Sequence, residues 1–418
     1  MSSTRPISLA AARAAVLAGL EPLAAEPVPL AAALGRRLGE DAVARAPVQA
    51  FDNSAMDGYA VRAAETEAAT PGSPARLRLA GESRAGHPAT AALGAGEAMA
   101  ISTGAALPAG ADAVVRVEDT AREGEAVLVR AGVAPGRDVR RAGEDFAAGD
   151  TVLPAGTAIG PAELGVLASL DLDPAPCFGR PRVAVLTSGD ELVPLGKPLA
   201  PGAIRDSNAH SVPAAARLAG ADVVSVAWAP DEPRATEAAL SAAISAADVA
   251  IVCGGVSVGE HDHVKAALAR LGVAEEFWRI ALRPGGPTWF GRRDATLVFG
   301  LPGNPVSALV TFALLARPAL LALGGGDPGA PRTRAVLAAG CERPAGRVHA
   351  VRCRLELTER GWLAHPFGRQ GSHVLTSLVG ADALALVPAE GPGGAAGETV
   401  EVELLDSGGA AAAASIGR

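Results

Sequence analysis

The 418 residues exceed what one hydrophobic core commonly serves, which sets an expectation of two to four domains and excludes a small disulfide-stapled scaffold. With 49% hydrophobic and 20% charged residues, and with 50 Gly and 32 Pro scattered between apolar runs, the composition is globular and excludes wholesale disorder. A formal net charge of -8 carries no basic footprint, so neither nucleic acid nor a membrane surface is an expected partner, and an anionic ligand needs local cations.

Along the chain, residues 7–23 read as an amphipathic helix with Ser8 as N-cap, followed by a second apolar segment to Leu38. Arg13 interrupts the alanines that could mimic a signal peptide, and Glu21-Pro22 follows, so a cytoplasmic protein is expected. From Pro47 the pattern becomes short alternating runs (77–79, 98–102, 113–117, 126–130) between Gly/Pro turns, a β-rich domain. A β-turn segment at 149–159 and a short helix at 161–170 return beside the N-terminal segment, giving a split linker domain of 1–46 plus 144–178 around the β-rich domain 47–143.

At Arg180-Pro181 the pattern changes again. Strands at 183–186, 223–227, 249–252 and 296–299 alternate with helices at 209–218, 234–246 (capped by Asp231), 264–271 and 306–316. That alternation requires crossover connections, hence a three-layer α/β domain, 179–326, on a mostly parallel sheet. The apolar stretch near Leu309 is expected to break at Arg317-Pro318, short of a membrane span. Residues 327–406 alternate once more (352–357, 383–387, 400–404) as a small C-terminal β-barrel or sandwich, and 407–418 form an Ala-rich, flexible tail. The four cysteines contain no CxxC pair, which suits a reducing compartment.

Ligands of such sheets bind outside the carboxyl ends of the strands. Three segments fall there. Thr187-Ser188-Gly189-Asp190-Glu191-Leu192 places two carboxylates after the first strand, either a solvated turn or a hard-cation site. Gly254-Gly255-Val256-Ser257, running on through Glu260-His261-Asp262-His263, allows close backbone approach and offers N-H groups to an anion, with a plain strand-helix turn as the alternative. His261 and His263, two apart, do not share a helix face and read as an exposed pair. Gly303-Asn304-Pro305, followed by Ser307, is a strong helix start, and Arg283-Pro284-Gly285-Gly286-Pro287 is a rigid loop with one cation. Three glycine turns converging on one crevice, with carboxylates among them, point to a metal-bridged phosphate or similar oxyanion. No GxxxxGK[ST] occurs, and 391–397 only imitates a dinucleotide loop.

The run from Asp52 through Asp57-Gly58-Tyr59 to Val61, the turn Ser102-Thr103-Gly104-Ala105, Gly143-Glu144-Asp145, and Ser188 to Leu192 are followed by 254–262, 300–307 and Gln370-Gly371-Ser372-His373. In this order the motifs resemble the molybdopterin molybdenumtransferases, the family of bacterial MoeA and the gephyrin E domain, over residues 7–405. The resemblance implies insertion of molybdate into adenylylated molybdopterin, with Mg2+-dependent cleavage of the phosphoanhydride and release of AMP, in molybdenum cofactor biosynthesis. It implies that Glu191, Asp231 and Asp262 hold Mg2+ or position the attacking oxygen. Gly254, Gly255 and Ser257 would cradle the substrate phosphate beside Gly303, Asn304 and Ser307. Asp57 and Thr103 would reach the partner subunit's crevice in an elongated homodimer, and Asp145 matches a further acidic position.

The family's molybdate loop resembles Lys-Pro-Gly-Lys-Pro with an Arg and a Ser from the last domain. Here these match Arg283, Gly286, Pro287, Arg352 and Ser372. The first lysine has become Arg in a chain whose only lysines are Lys197 and Lys265; the second has become Gly. Arg369 offers a replacement charge. With the carboxylates and glycine loops intact, an active insertase that docks other cofactor-pathway proteins is expected, with a non-catalytic scaffolding relative as the alternative. A molybdopterin-adenylylating enzyme is the weaker third reading, because its fold resembles the α/β domain alone.

Overall fold

The computed structural model describes residues 5–256, 263–329 and 331–405. The chain divides into two compact units, one of Met1–Pro27, Gly35–Gly39 and Pro176–Arg418, the other of Val28–Leu34 and Glu40–Ala175.

In the first unit, six strands form one sheet in the spatial order Asp222–Ala229, Arg182–Ser188, Val249–Cys253, Thr296–Leu301, Trp289–Arg293, Ala274–Trp278. The first four run parallel, Trp289–Arg293 runs antiparallel to them, and Ala274–Trp278 pairs antiparallel with Trp289–Arg293. The central strands are apolar without alternation because both faces are covered. Val183, Val185, Ile251 and Phe299 pack with Val212 and Ala216 of the helix Asn208–Leu218. Their sequence neighbours Ala184, Leu186, Val252 and Val298 face the other way, onto Leu240 and Ile244 of Pro233–Ala246 and Val264 and Leu268 of His263–Arg270. This is the expected three-layer arrangement.

Three local expectations are corrected. The N-terminal helix is Leu9–Leu17, shorter than 7–23: Ser8 caps it, its hydroxyl accepting from Ala11 N at 3.1 Å, and Gly19 ends it at φ 64°. The helix Pro233–Ala246 is capped by Glu232, whose carboxylate accepts from Arg234 N at 3.1 Å and Ala235 N at 2.7 Å; Asp231 is engaged elsewhere. The apolar helix does not stop before Arg317-Pro318. It runs Pro305–Leu323, through a π turn at Phe312–Ala316, and is long and apolar enough to cross a membrane, yet 83% of it is buried inside the unit as a core helix. Arg317 fits there because its Nη2 meets Glu403 Oε1 at 3.0 Å and its Nη1 donates to Leu404 O at 2.8 Å.

The same unit ends in a closed five-stranded barrel of Arg332–Leu337, Val348–Thr358, Gly361–Pro366, Ala383–Val387 and Thr399–Leu404, with Val351, Cys353, Ala364, Ala385 and Val402 inside. The short strand Leu282–Arg283 leaves the α/β domain to pair in parallel with the barrel, Leu282 with Val348 and Arg283 with His349. That pairing carries the loop 283–287 to the barrel wall.

The second unit holds a six-stranded sheet in the order Ala113–Arg116, Gly58–Val61, Glu97–Ile101, Ala75–Ser83, Ala126–Val129, Thr120–Glu123. Its faces bury Val61, Leu77, Val115 and Val127 on one side and Ala60, Met99, Ile101 and Val114 on the other.

Candidate active site

The parallel register places Thr187 beside Cys253 and Cys253 beside Leu301, so the three loops that follow leave the same sheet edge side by side. They pack tightly. Gly254 N donates to Leu301 O at 3.0 Å, and at φ 98° a Cβ on Gly254 would lie 2.6 Å from Ser188 O. A Cβ on Gly303 would lie 3.7 Å from Gly254 Cα. Cys253 at the strand end has its thiol pushed up to about 12 by burial, which leaves it unable to serve as a thiolate nucleophile.

Two carboxylates join this edge through opposite arrangements. Asp231 is tied in: it accepts from Ser188 Oγ at 3.2 Å and Asp190 N at 3.4 Å, while its own N-H donates to Asp190 Oδ1 at 3.1 Å. These bonds explain why Asp231 does not cap the helix. Glu191 folds over Gly189, is exposed, and has no side-chain partner among the described residues. Asp262, Ser257 and His261 lie outside the described residues. Among the described residues no three His, Cys, Asp or Glu side chains form a metal-holding group. Glu191 and Asp231 are hard oxygen donors on one loop edge, and this donor chemistry suits Mg2+.

Beside the third loop opens a pocket of about 400 Å³ lined by Arg283, Gly286, Pro287, Asn304 and Ser307, by Ser372 and His373 of the 370–373 motif, and by Arg347, which the sequence did not single out. Among the described residues no Asp or Glu lines it. Asn304 caps no N-H with its side chain; instead its Nδ2 donates to Ser372 Oγ at 3.3 Å. Arg352 stands behind the wall, fully buried, its Nη2 donating to Gly371 O at 3.3 Å and its Nε to Ser377 Oγ at 3.2 Å. Its Nη1 is buried with no partner among the described residues. Burial, with Arg283 nearby, pulls the Arg352 guanidinium down to about 10, still a cation at neutral pH. Arg369 is exposed and outside the lining.

Two further polar groups escaped the sequence. Asp206 is buried, accepting from Thr187 Oγ1 at 2.6 Å and Ala209 N at 3.0 Å. Asn208 donates from Nδ2 to Gly303 O at 2.8 Å and keeps a buried Oδ1 without a partner. Locally both read as ordinary helix-start residues, so no sequence signal separates them from caps. In the second unit, Asp57 and Thr103 meet, Thr103 N donating to Asp57 Oδ1 at 2.7 Å, and Asp145 is exposed.

Family models match the chain in the same order: the MoeA N-terminal region (domain I and II) at residues 7–170, a probable molybdopterin binding domain at 184–322, and the MoeA C-terminal region (domain IV) at 334–405. Molybdopterin molybdenumtransferase 2 of Mycobacterium tuberculosis is 41% identical over 381 residues, covering 90% of this chain and 94% of that protein. The chain belongs to the MoeA family. The MoeA-family relative from Haemophilus influenzae, named molybdopterin molybdenumtransferase, is 37% identical over 91% of this chain and 94% of its own length. A crystal structure of a molybdopterin biosynthesis MoeA protein from Pyrococcus horikoshii superposes with a TM-score of 0.82 at 33% identity, over 96% of this chain and 99% of that one. The MoeA fold thus accounts for the α/β domain, the barrel and the β-rich unit together.

Proposed function

We propose that this transferase of molybdenum cofactor biosynthesis inserts molybdate into adenylylated molybdopterin with release of AMP. The observation that carries the reading is the pocket without carboxylates, holding two arginines and two serine hydroxyls, joined through the third glycine loop to an edge that carries free carboxylate oxygens. A tetrahedral dianion fits the first surface and a cation-bridged phosphoanhydride the second. Arg283, Ser372 and Ser307 bind the oxyanion against Gly286 and Pro287, and Arg352 adds its charge from behind. Gly254, Gly255 and Gly303 keep side chains away from the phosphate, with Asn304 orienting Ser372. Glu191 and Asp231, with Asp262, hold Mg2+, which when bound neutralises charge on the phosphoanhydride. Asp57, positioned by the Thr103 amide, serves the partner subunit's crevice in a homodimer. The cytoplasm is the proposed compartment, which the four free cysteines suit.

The test is purified protein with adenylylated molybdopterin, Mg2+ and molybdate. AMP release and active cofactor that each require both additions are expected; pterin binding without AMP release under saturating molybdate would overturn the reading.

A further inference from the structure

Of the two arginines in the pocket beside Pro302, one has no place in the motif pattern and has not yet been given a role. Arg283 is already engaged, its Nη1 donating to the exposed Glu342 at 2.8 Å. Arg352 is a fixed charge behind the wall, held by Ser377 and Gly371. Arg347 differs from both: it lines the pocket, it is exposed, and its side chain has no hydrogen bond or ion pair among the described residues.

Its placement is a consequence of strand register. Val348 opens the long barrel strand and pairs with Leu282, with Val348 N donating to Ala281 O at 2.9 Å, so Arg347 and Arg283 are delivered to the same pocket by one parallel ladder. A guanidinium mounted at the start of a strand loses less freedom on binding than one on a long loop. A tetrahedral dianion needs more than one cation, and the Arg fork can donate to two of its oxygens at once. Position 286, a glycine, offers no side chain, and Arg369 does not line the pocket.

We infer that Arg347 is the second cation of this pocket, binding the tetrahedral oxyanion directly and filling the role that Gly286 leaves open. The inference rests on the insertase reading of the pocket. It predicts a compensation specific to this chain. Gly286 is not in the left-handed region, and a Cβ there would lie 3.4 Å from Leu282 O and 3.7 Å from Ile280 O, so a side chain is tolerated. Adding an ammonium at 286 should therefore do little while Arg347 is present and much when it is absent.

The experiment titrates molybdate into the intact protein by calorimetry at fixed pH and ionic strength, with sulfate and phosphate in parallel. Arg347→Ala should weaken molybdate binding roughly ten- to hundred-fold, the effect of one charge-assisted hydrogen-bond donor. Arg347→Lys should keep part of the affinity, and Gly286→Lys should recover part of it in the Arg347→Ala background. Wild-type affinity in Arg347→Ala overturns the inference, as does a loss that Gly286→Lys leaves untouched and Arg369→Ala reproduces. A pocket that takes phosphate and excludes molybdate overturns it as well. AMP release at saturating molybdate separates the two levels: release retained while Arg347→Ala binds normally removes only the role of Arg347, whereas no release and no molybdate binding by any form removes the insertase reading.

Discussion

Three hydrogen bonds tie Asp231 to Ser188 and Asp190, whereas the side chain of Glu191, on the same edge, makes none among the described residues. Glu191 is exposed and without a partner among the described residues, so Glu191→Ala should leave stability within about 0.5 kcal/mol of wild type in urea denaturation. AMP release should fall by roughly two or more orders of magnitude if that carboxylate helps hold the metal; full turnover by the variant would remove it from the site. Asp231→Ala should lower stability as well, by about 1 kcal/mol, because the Ser188 hydroxyl and the Asp190 amide lose their acceptor. His349 gives a pH dependence. It is buried, its ring Nδ1 sits 2.7 Å from Glu342 O, and burial, with Arg283 and Arg352 adding repulsion, holds its pKa below the usual 6.5. Below pH 6.5 the unfolded chain takes up a proton at His349 that the folded chain refuses, so stability falls with pH until the lowered folded pKa is passed. His349→Gln should flatten part of the fall in Tm between pH 7 and pH 5.5; parallel Tm curves for the two proteins would exclude that contribution.

At the scale of elements, the glycine loop after Val249–Cys253 is set by sterics. Gly254→Ala puts a Cβ against Ser188 O in a backbone that L side chains rarely adopt, and should cost on the order of 1–3 kcal/mol in denaturant unfolding. An unchanged midpoint would mean the loop relaxes freely and is no rigid cradle. The close packing was legible, because a glycine pair directly after an apolar strand permits a backbone approach that other residues forbid; the choice between a cradle and a plain strand-helix turn was not. The cap of the next helix was not legible, because Asp231 and Glu232 are equally good acceptors one residue apart. The choice between them is made by Ser188 and Asp190, some forty residues earlier in the chain, which hold Asp231 to the sheet edge and leave Glu232 for Arg234 N and Ala235 N. The apolar helix was cut short in the sequence for the same kind of reason. Arg317 looks like a terminator until its partner is known.

That partner works at the scale of the whole first unit. Glu403, 2% exposed on a barrel strand, bonds Arg317 of the core helix and Arg13 of the N-terminal helix, with Arg332 Nε at 3.5 Å. Three cations on one buried carboxylate tie three segments that are distant in sequence. Glu403→Gln should cost about 3–5 kcal/mol, since Arg13, Arg317 and Arg332 lose the buried carboxylate they share, and guanidinium unfolding measures it; a loss below about 1 kcal/mol would show that the carboxylate's charge is not what holds these arginines. The proposed homodimer has its own test. Asp57→Ala and Glu191→Ala subunits, each inactive alone, should recover part of the activity when mixed, because one hybrid crevice carries both native residues. No recovery in demonstrably mixed dimers would place Asp57 and Glu191 in one subunit's site or in none.

Periodicity and turn chemistry are local, and what depends on them was determined by the sequence alone: strands alternating with helices, the three loops at the carboxyl edge, the carboxylates Asp190 and Glu191 in the first of those loops, and the ordered motifs that identify the MoeA family. The proposed oxyanion pocket is of another kind. Arg283, Arg347 and Ser372 come from segments with no shared period: the pairing of Leu282 with Val348 and of Arg283 with His349 brings the two arginines to one wall, and the bond from Asn304 Nδ2 holds Ser372 beside the third loop. Which arginine faces the pocket, 347 and not 369, and which stays buried behind it, 352, is decided by the closure of the barrel, because a side chain's direction follows from strand register and the register is set by every strand that completes the ring.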